Sequence, residues 1–107
     1  MEGSQVKLAP RNRMRPVHPG EILREDVLKA LGMSATALAK SLGVPTNRIT
    51  AIINRQRGIT ADTALRLSQY LGTTPQFWLN LQTSYDLKKA EADFGREIER
   101  KVKPRAA

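Results

Sequence analysis

The chain has 107 residues, enough for one domain with a modest core of its own, and contains no cysteine and a single histidine. That inventory excludes a disulfide framework, a thiol nucleophile and the Cys/His clusters that hold zinc, so neither a metal nor another cofactor is expected. Eighteen Lys and Arg against ten Asp and Glu leave a net charge of +8, which suits a polyanionic partner, nucleic acid ahead of a membrane surface.

Residues 1–17 mix Pro, Gly, Asn and basic residues and are expected to form a flexible arm, with Lys7, Arg11, Arg13 and Arg15 available to phosphate or to a protein partner. The stretch MEGSQVKLAPRNRMRP lacks the apolar run of a signal peptide, and no segment approaches the ~20 apolar residues that span a bilayer. The expected location is therefore the cytoplasm.

A first helix begins at HPGEILRE, with Pro19 at its first position and Glu21 in the first turn, where the helix dipole favours an anion. Leu23, Val27 and Leu31 recur at helical spacing as the inner face, Ile22 and Leu28 widen the stripe, and Gly32 ends it. His18 has no second histidine, cysteine or carboxylate partner beside it in sequence, so a turn or cap role is expected. Ser34 caps a second helix that runs to about Leu42, and Gly43 stops it. Pro45 opens a third that carries through Ile53 or Asn54. After the RQRG loop, Thr60 caps a fourth helix with Ala64, Leu67 and Leu71 facing inward, closed by Gly72. Thr74 and Pro75 start a fifth that reaches about Ala92. The expected organisation is an arm over 1–17, a helical domain over 18–92 and a charged tail over 93–107, partly helical or disordered.

The stretch ATALAKSLGVPTNRITAIIN, residues 35–54, meets the requirements of a helix-turn-helix. Leu38 and Leu42 share the inner face of its first helix, and Ala39 is small where the second helix crosses above it. Gly43 stands where the turn needs a left-handed backbone, Val44 fills the corner, and Ile49 and Ile52 pin the second helix to the core. No acidic residue lies between Asp26 and Asp62, whereas Lys29, Lys40, Arg48, Arg55 and Arg57 do, an electrostatic footprint over one structural unit. Thr46, Asn47 and Thr50 lie toward the N-terminus of the reading helix, the end that enters a major groove. Asparagine can bind adenine in bidentate fashion and threonine can offer its hydroxyl or its methyl to a base edge. Arg48 is either a guanine reader or a phosphate clamp. Ser34, Thr36, Lys40, Asn54, Arg55 and Arg57 fall at the rim, where phosphate contacts fix register.

Three stretches, HPGEILREDVL at 18–28, the helix-turn-helix, and TPQFWLNLQTSYDLKKAE at 74–91, resemble the HigA-type antitoxins, the virulence-associated-protein-I-like branch of the XRE (Cro/C1) phage-repressor helix-turn-helix family. The resemblance covers about two-thirds of the chain, and its FWLNLQ…YDL string is the most specific part because DNA reading does not require it. It implies an all-α, five-helix, lambda-repressor-like fold. It further implies an autorepressor that binds a palindromic operator in double-stranded DNA as a homodimer and neutralises a RelE/HigB-like mRNA endonuclease toxin. A stand-alone XRE-family regulator and a toxin-binding module with weak DNA binding are the alternatives. Phe77, Trp78, Leu79, Leu81 and Tyr85 supply more apolar surface than one buried face of the fifth helix needs, and are candidates for the dimer interface. Trp78 as a plug of the monomer core is equally compatible with the pattern. The sequence offers no paired histidines and no glycine-rich phosphate loop, so an enzyme is not expected. RNA binding is disfavoured because no aromatic residue interleaves with the basic ones over 34–58.

Overall fold

A computed structural model describes residues 15–106, and these form helices and connecting loops without a strand. The arm cations Lys7, Arg11 and Arg13 lie outside the described residues. Helix α1 starts as an α-helix at Pro19–Ile22, widens into a π-helical turn over Leu23–Leu28 and finishes with Lys29–Leu31. The others are α2 (Ala35–Leu42), α3 (Thr46–Ile53), α4 (Ala61–Leu71) and α5 (Pro75–Lys101). None is long and apolar enough to cross a membrane.

Side-chain caps set most of the starts by satisfying backbone N–H groups that have no partner inside the helix. Ser34 Oγ accepts from Ala37 N at 3.0 Å, Thr60 Oγ1 from Thr63 N at 3.4 Å and Thr74 Oγ1 from Phe77 N at 3.1 Å. His18 takes the expected cap role at α1, with Nδ1 accepting from Gly20 N at 2.9 Å. Gly43, at φ 71°, stops α2 and lets Val44 N return to Ala39 O at 3.0 Å, which fixes the direction in which α3 leaves.

The π-helical turn corrects one expectation. Lys29 N donates to Arg24 O, five residues back, so the ladder holds one residue more than an α-helix would. An extra residue turns everything after it by about 100°. Leu23, Val27 and Leu28 therefore all reach the core, while Leu31, expected inside, is 54% exposed.

One core joins all five helices: Leu23, Val27 and Leu28 of α1, Leu38, Ala39 and Leu42 of α2, Ile49 and Ile52 of α3, Ala64 and Leu67 of α4, and Trp78 of α5, together with Ile59 from the loop before α4. The N-terminal turn of α1 packs on both α3 and α5, and α2 packs on α3 and α4. Gly20 is where α1 meets α3 backbone to backbone, since a Cβ there would lie 1.9 Å from Ile52 O.

Helix α5 decides two alternatives that the sequence left open. It continues past Ala92 to Lys101, supported by i,i+4 ion pairs Lys89–Asp93 at 3.0 Å and Lys101–Glu97 at 2.8 Å. Trp78 is 1% exposed and is a core residue rather than a surface one, its Nε1 donating to Thr73 Oγ1 at 2.8 Å. That hydrogen bond satisfies the indole N–H, so the whole ring can be buried without an orphaned donor.

Candidate nucleic-acid interface

The seven residues expected to build the helix-turn-helix occupy the places their types require. Leu38, Ala39, Ile49 and Ile52 are at most 1% exposed, Leu42 is buried, and Val44 packs half-buried against the core. Gly43 makes the left-handed turn. Because α3 is only eight residues long, its orientation depends on Ile49 and Ile52 below it rather than on its own helical propensity.

With one face held inward, α3 presents its N-terminal residues to solvent. Thr46 and Asn47 are exposed, and among the described residues the Asn47 amide has no partner, so its donor and acceptor are both free. Thr50 is half-buried, and its Oγ1 donates weakly to Thr46 O one turn back, at 3.4 Å. Arg48 is placed otherwise. It is half-buried and forms a hydrogen-bonded ion pair with Asp62, the acidic residue in the first turn of α4. Arg66 Nε also reaches Asp62 Oδ2, at 3.0 Å, while Arg66 Nη1 donates to Leu42 O at 2.9 Å and Gly43 O at 3.3 Å. Asp62 thus holds two arginines, one on α3 and one that closes the C-terminus of α2. The hydrogen bond from Arg48, then that from Arg66, lowers the Asp62 pKa below the usual carboxylate value.

The rim residues fall on both flanks. Thr36 and Lys40 are exposed on α2, and Ser34 Oγ, engaged as an acceptor in the cap, still carries its own O–H donor. Asn54, Arg55 and Arg57 are exposed just after α3. Arg55 sits at φ 63°, the position a glycine usually fills at a helix end, and Gln56 N closes the motif on Ala51 O at 2.8 Å. Its guanidinium lies 3.9 Å from Glu21, which also holds Arg15 in a two-bond pair at 2.9 and 3.1 Å.

The acid-free footprint read along the sequence is therefore not acid-free in space, since Asp62 and Glu21 both fold back onto it. Sequence reasoning also missed Gly20 and Gln82. Gln82 Oε1 accepts from Ile59 N at 2.7 Å and ties the loop after α3 to α5. The partners in each case are more than twenty residues apart, so no local spacing could have revealed them. The dimer candidates also separate: Phe77 is 43% exposed with its ring edge-on to Trp78, whereas Leu79 and Leu81 are half-buried against the core and Tyr85 meets the His18 ring edge-on at 4.8 Å.

The model of the helix-turn-helix family matches residues 25–78. Virulence-associated protein I of Dichelobacter nodosus is 61% identical over 85 residues, 79% of each chain. Among solved structures, an addiction module antidote protein of the HigA family from Coxiella burnetii superposes with a TM-score of 0.81 at 58% identity, over 85% of this chain and 99% of that one. The antitoxin GraA in complex with its operator superposes with a TM-score of 0.82 at 54% identity, over 87% and 94%. A buried α2–α3 pair with its free polar face outward, a family match over half the chain and identities above one half lead to one assignment: the chain belongs to the XRE-type helix-turn-helix family, in the branch of the HigA antitoxins and virulence-associated protein I.

Proposed function

We propose that this protein is a DNA-binding transcriptional repressor and the antitoxin of a toxin–antitoxin pair, in which α3 reads the operator. The observation that carries the reading is the outward face of α3, where Thr46 and an Asn47 amide without a partner among the described residues stand exposed, with the cation Lys40 exposed on α2 and Arg55 and Arg57 exposed just after α3. Thr46, Asn47 and Thr50 take the base edges, with Arg48 beside them at the phosphate margin. Ser34, Thr36, Lys40, Asn54, Arg55 and Arg57 take the backbone. The operator complex of GraA supports this use of the fold.

A homodimer on a palindrome would set two copies of α3 about 34 Å apart, one turn of DNA. Exposed Phe77 and the apolar residues Leu87, Phe94 and Ile98 along the projecting part of α5 offer the surface for a second copy. The toxin is a RelE/HigB-like endonuclease, met in the cytoplasm where the operon is transcribed. Footprinting on the protein's own promoter tests the reading. Two protected half-sites one helical turn apart, related by a two-fold, are expected. Protection without symmetry would refute the dimer, and no protection would refute the repressor.

A further inference from the structure

We propose that Asp62 is a specificity-determining residue: by holding Arg48 it withholds a cation of the reading helix from phosphates that lie in the wrong register. The inference rests on α3 being the reading helix. Its geometric basis is the shared carboxylate oxygen, since Asp62 Oδ2 accepts from both Arg48 Nη1 and Arg66 Nε. Arg66 is anchored at its other end on Leu42 O and Gly43 O, at the turn of the helix-turn-helix. The chain Gly43–Arg66–Asp62–Arg48 therefore runs from the rigid turn to the first turn of α3, and it fixes the Arg48 guanidinium relative to Asn47.

An arginine alone on the rim would have five N–H donors on a long flexible stem and would pair with a phosphate on any DNA. Non-specific affinity comes almost wholly from such contacts, so each free cation raises binding to the wrong sequence. An exposed carboxylate beside a DNA-reading helix repels the phosphates and would lower affinity if it did nothing else. Asp62 is 55% exposed and nonetheless placed there. Neutralising Arg48 on random DNA, where no base contact offsets the loss, widens the gap between operator and random sequence.

The test is a double-mutant cycle read by fluorescence anisotropy on promoter and random duplexes from 50 to 200 mM salt, with wild type, Asp62→Asn, Arg48→Gln and the double variant. Asp62→Asn should bind random DNA more tightly and steepen its salt slope by about 0.9, the release expected for one more phosphate contact. That slope corresponds to roughly 3.5-fold extra weakening across this salt range. The promoter-to-random ratio should fall, Asp62→Glu should restore it, and in the Arg48→Gln background Asp62→Asn should change neither ratio nor slope. An Asp62→Asn effect of equal size without Arg48 would reduce Asp62 to a long-range charge and overturn the proposal. Parallel changes on both duplexes, or unchanged slopes, would overturn it as well. Asn47→Ala, measured alongside, separates the two readings. Lost promoter preference there upholds α3 as the reading helix whatever the cycle gives, and retained preference rejects that premise.

Discussion

Gly20→Ala gives opposite predictions from local and tertiary arguments. Gly20 lies in the first turn of α1, and on propensity alone alanine should stabilise a helix position by ~1 kcal/mol. The structure reverses the sign. The new Cβ would meet Ile52 O at 1.9 Å, Ile52 C at 2.8 Å and Ile53 Cα at 3.0 Å, all backbone atoms of α3 that no rotamer change can move. Restoring ordinary contact at 3.4 Å requires α1 and α3 to part by about 1.5 Å, which loosens Ile49 and Ile52 in the core. Overpacking of this kind costs ~1–3 kcal/mol when side chains can yield, and here they cannot, so the upper end applies. Setting ~3 kcal/mol against the ~1 kcal/mol propensity gain leaves a net loss of ~2 kcal/mol. Urea unfolding should show a lower midpoint at unchanged slope, with Tm down by roughly 8–16 °C. Because the atoms displaced belong to α3, promoter binding should weaken even where the variant is fully folded. A Tm equal to or above wild type would refute the close approach of the two helices.

Trp78→Ala should cost ~3–5 kcal/mol in chemical denaturation, the loss expected for a large aromatic ring leaving a cavity in a core. The loss should not depend on protein concentration, and a concentration-dependent loss would return Trp78 to a subunit interface. Arg57→Ala should weaken promoter and random DNA alike and reduce the salt slope by about 0.9, and an unchanged slope would remove Arg57 from the phosphate contacts. Burial, reinforced by Arg55 and opposed by Asp86, lowers the His18 pKa below its usual value near 6.5. The unfolded chain then takes up a proton that the folded one resists, so the stability His18 contributes is full above about pH 6.5 and is lost as pH falls toward its folded pKa. His18→Asn, which keeps a capping side chain, should flatten stability between pH 7 and 5, and a slope as steep as wild type would contradict the assignment.

The residues that acted locally were the legible ones. Ser34, Thr60 and Thr74 cap helices, and Gly32, Gly43 and Gly72 end them, because each effect is decided within one turn of chain. The inner faces of α2, α3 and α4 were equally legible, since Leu38, Leu42, Ile49, Ile52, Ala64 and Leu67 obey an uninterrupted helical period. In α1 the period fails after the π-helical turn, and Leu31 is where the error appears. For α5 the consecutive apolar residues Phe77, Trp78 and Leu79 gave no phase, so only packing could say that Trp78 is the ring that goes inside. At the candidate site the exposure of Asn47 followed from the wheel of α3. The restraint on Arg48 did not, because Asp62 lies fourteen residues further on and in another helix.

Whether the free face of α3 reads sequence is decided by comparing wild type and Asn47→Ala on the promoter and a scrambled duplex at two salt concentrations. Wild type should prefer the promoter at both salts, and Asn47→Ala should lose ~1–3 kcal/mol on the promoter while its binding to scrambled DNA is unchanged. Equal binding of wild type to both duplexes, or an equal loss by Asn47→Ala on both, would contradict it and leave only the attraction of a basic surface for DNA.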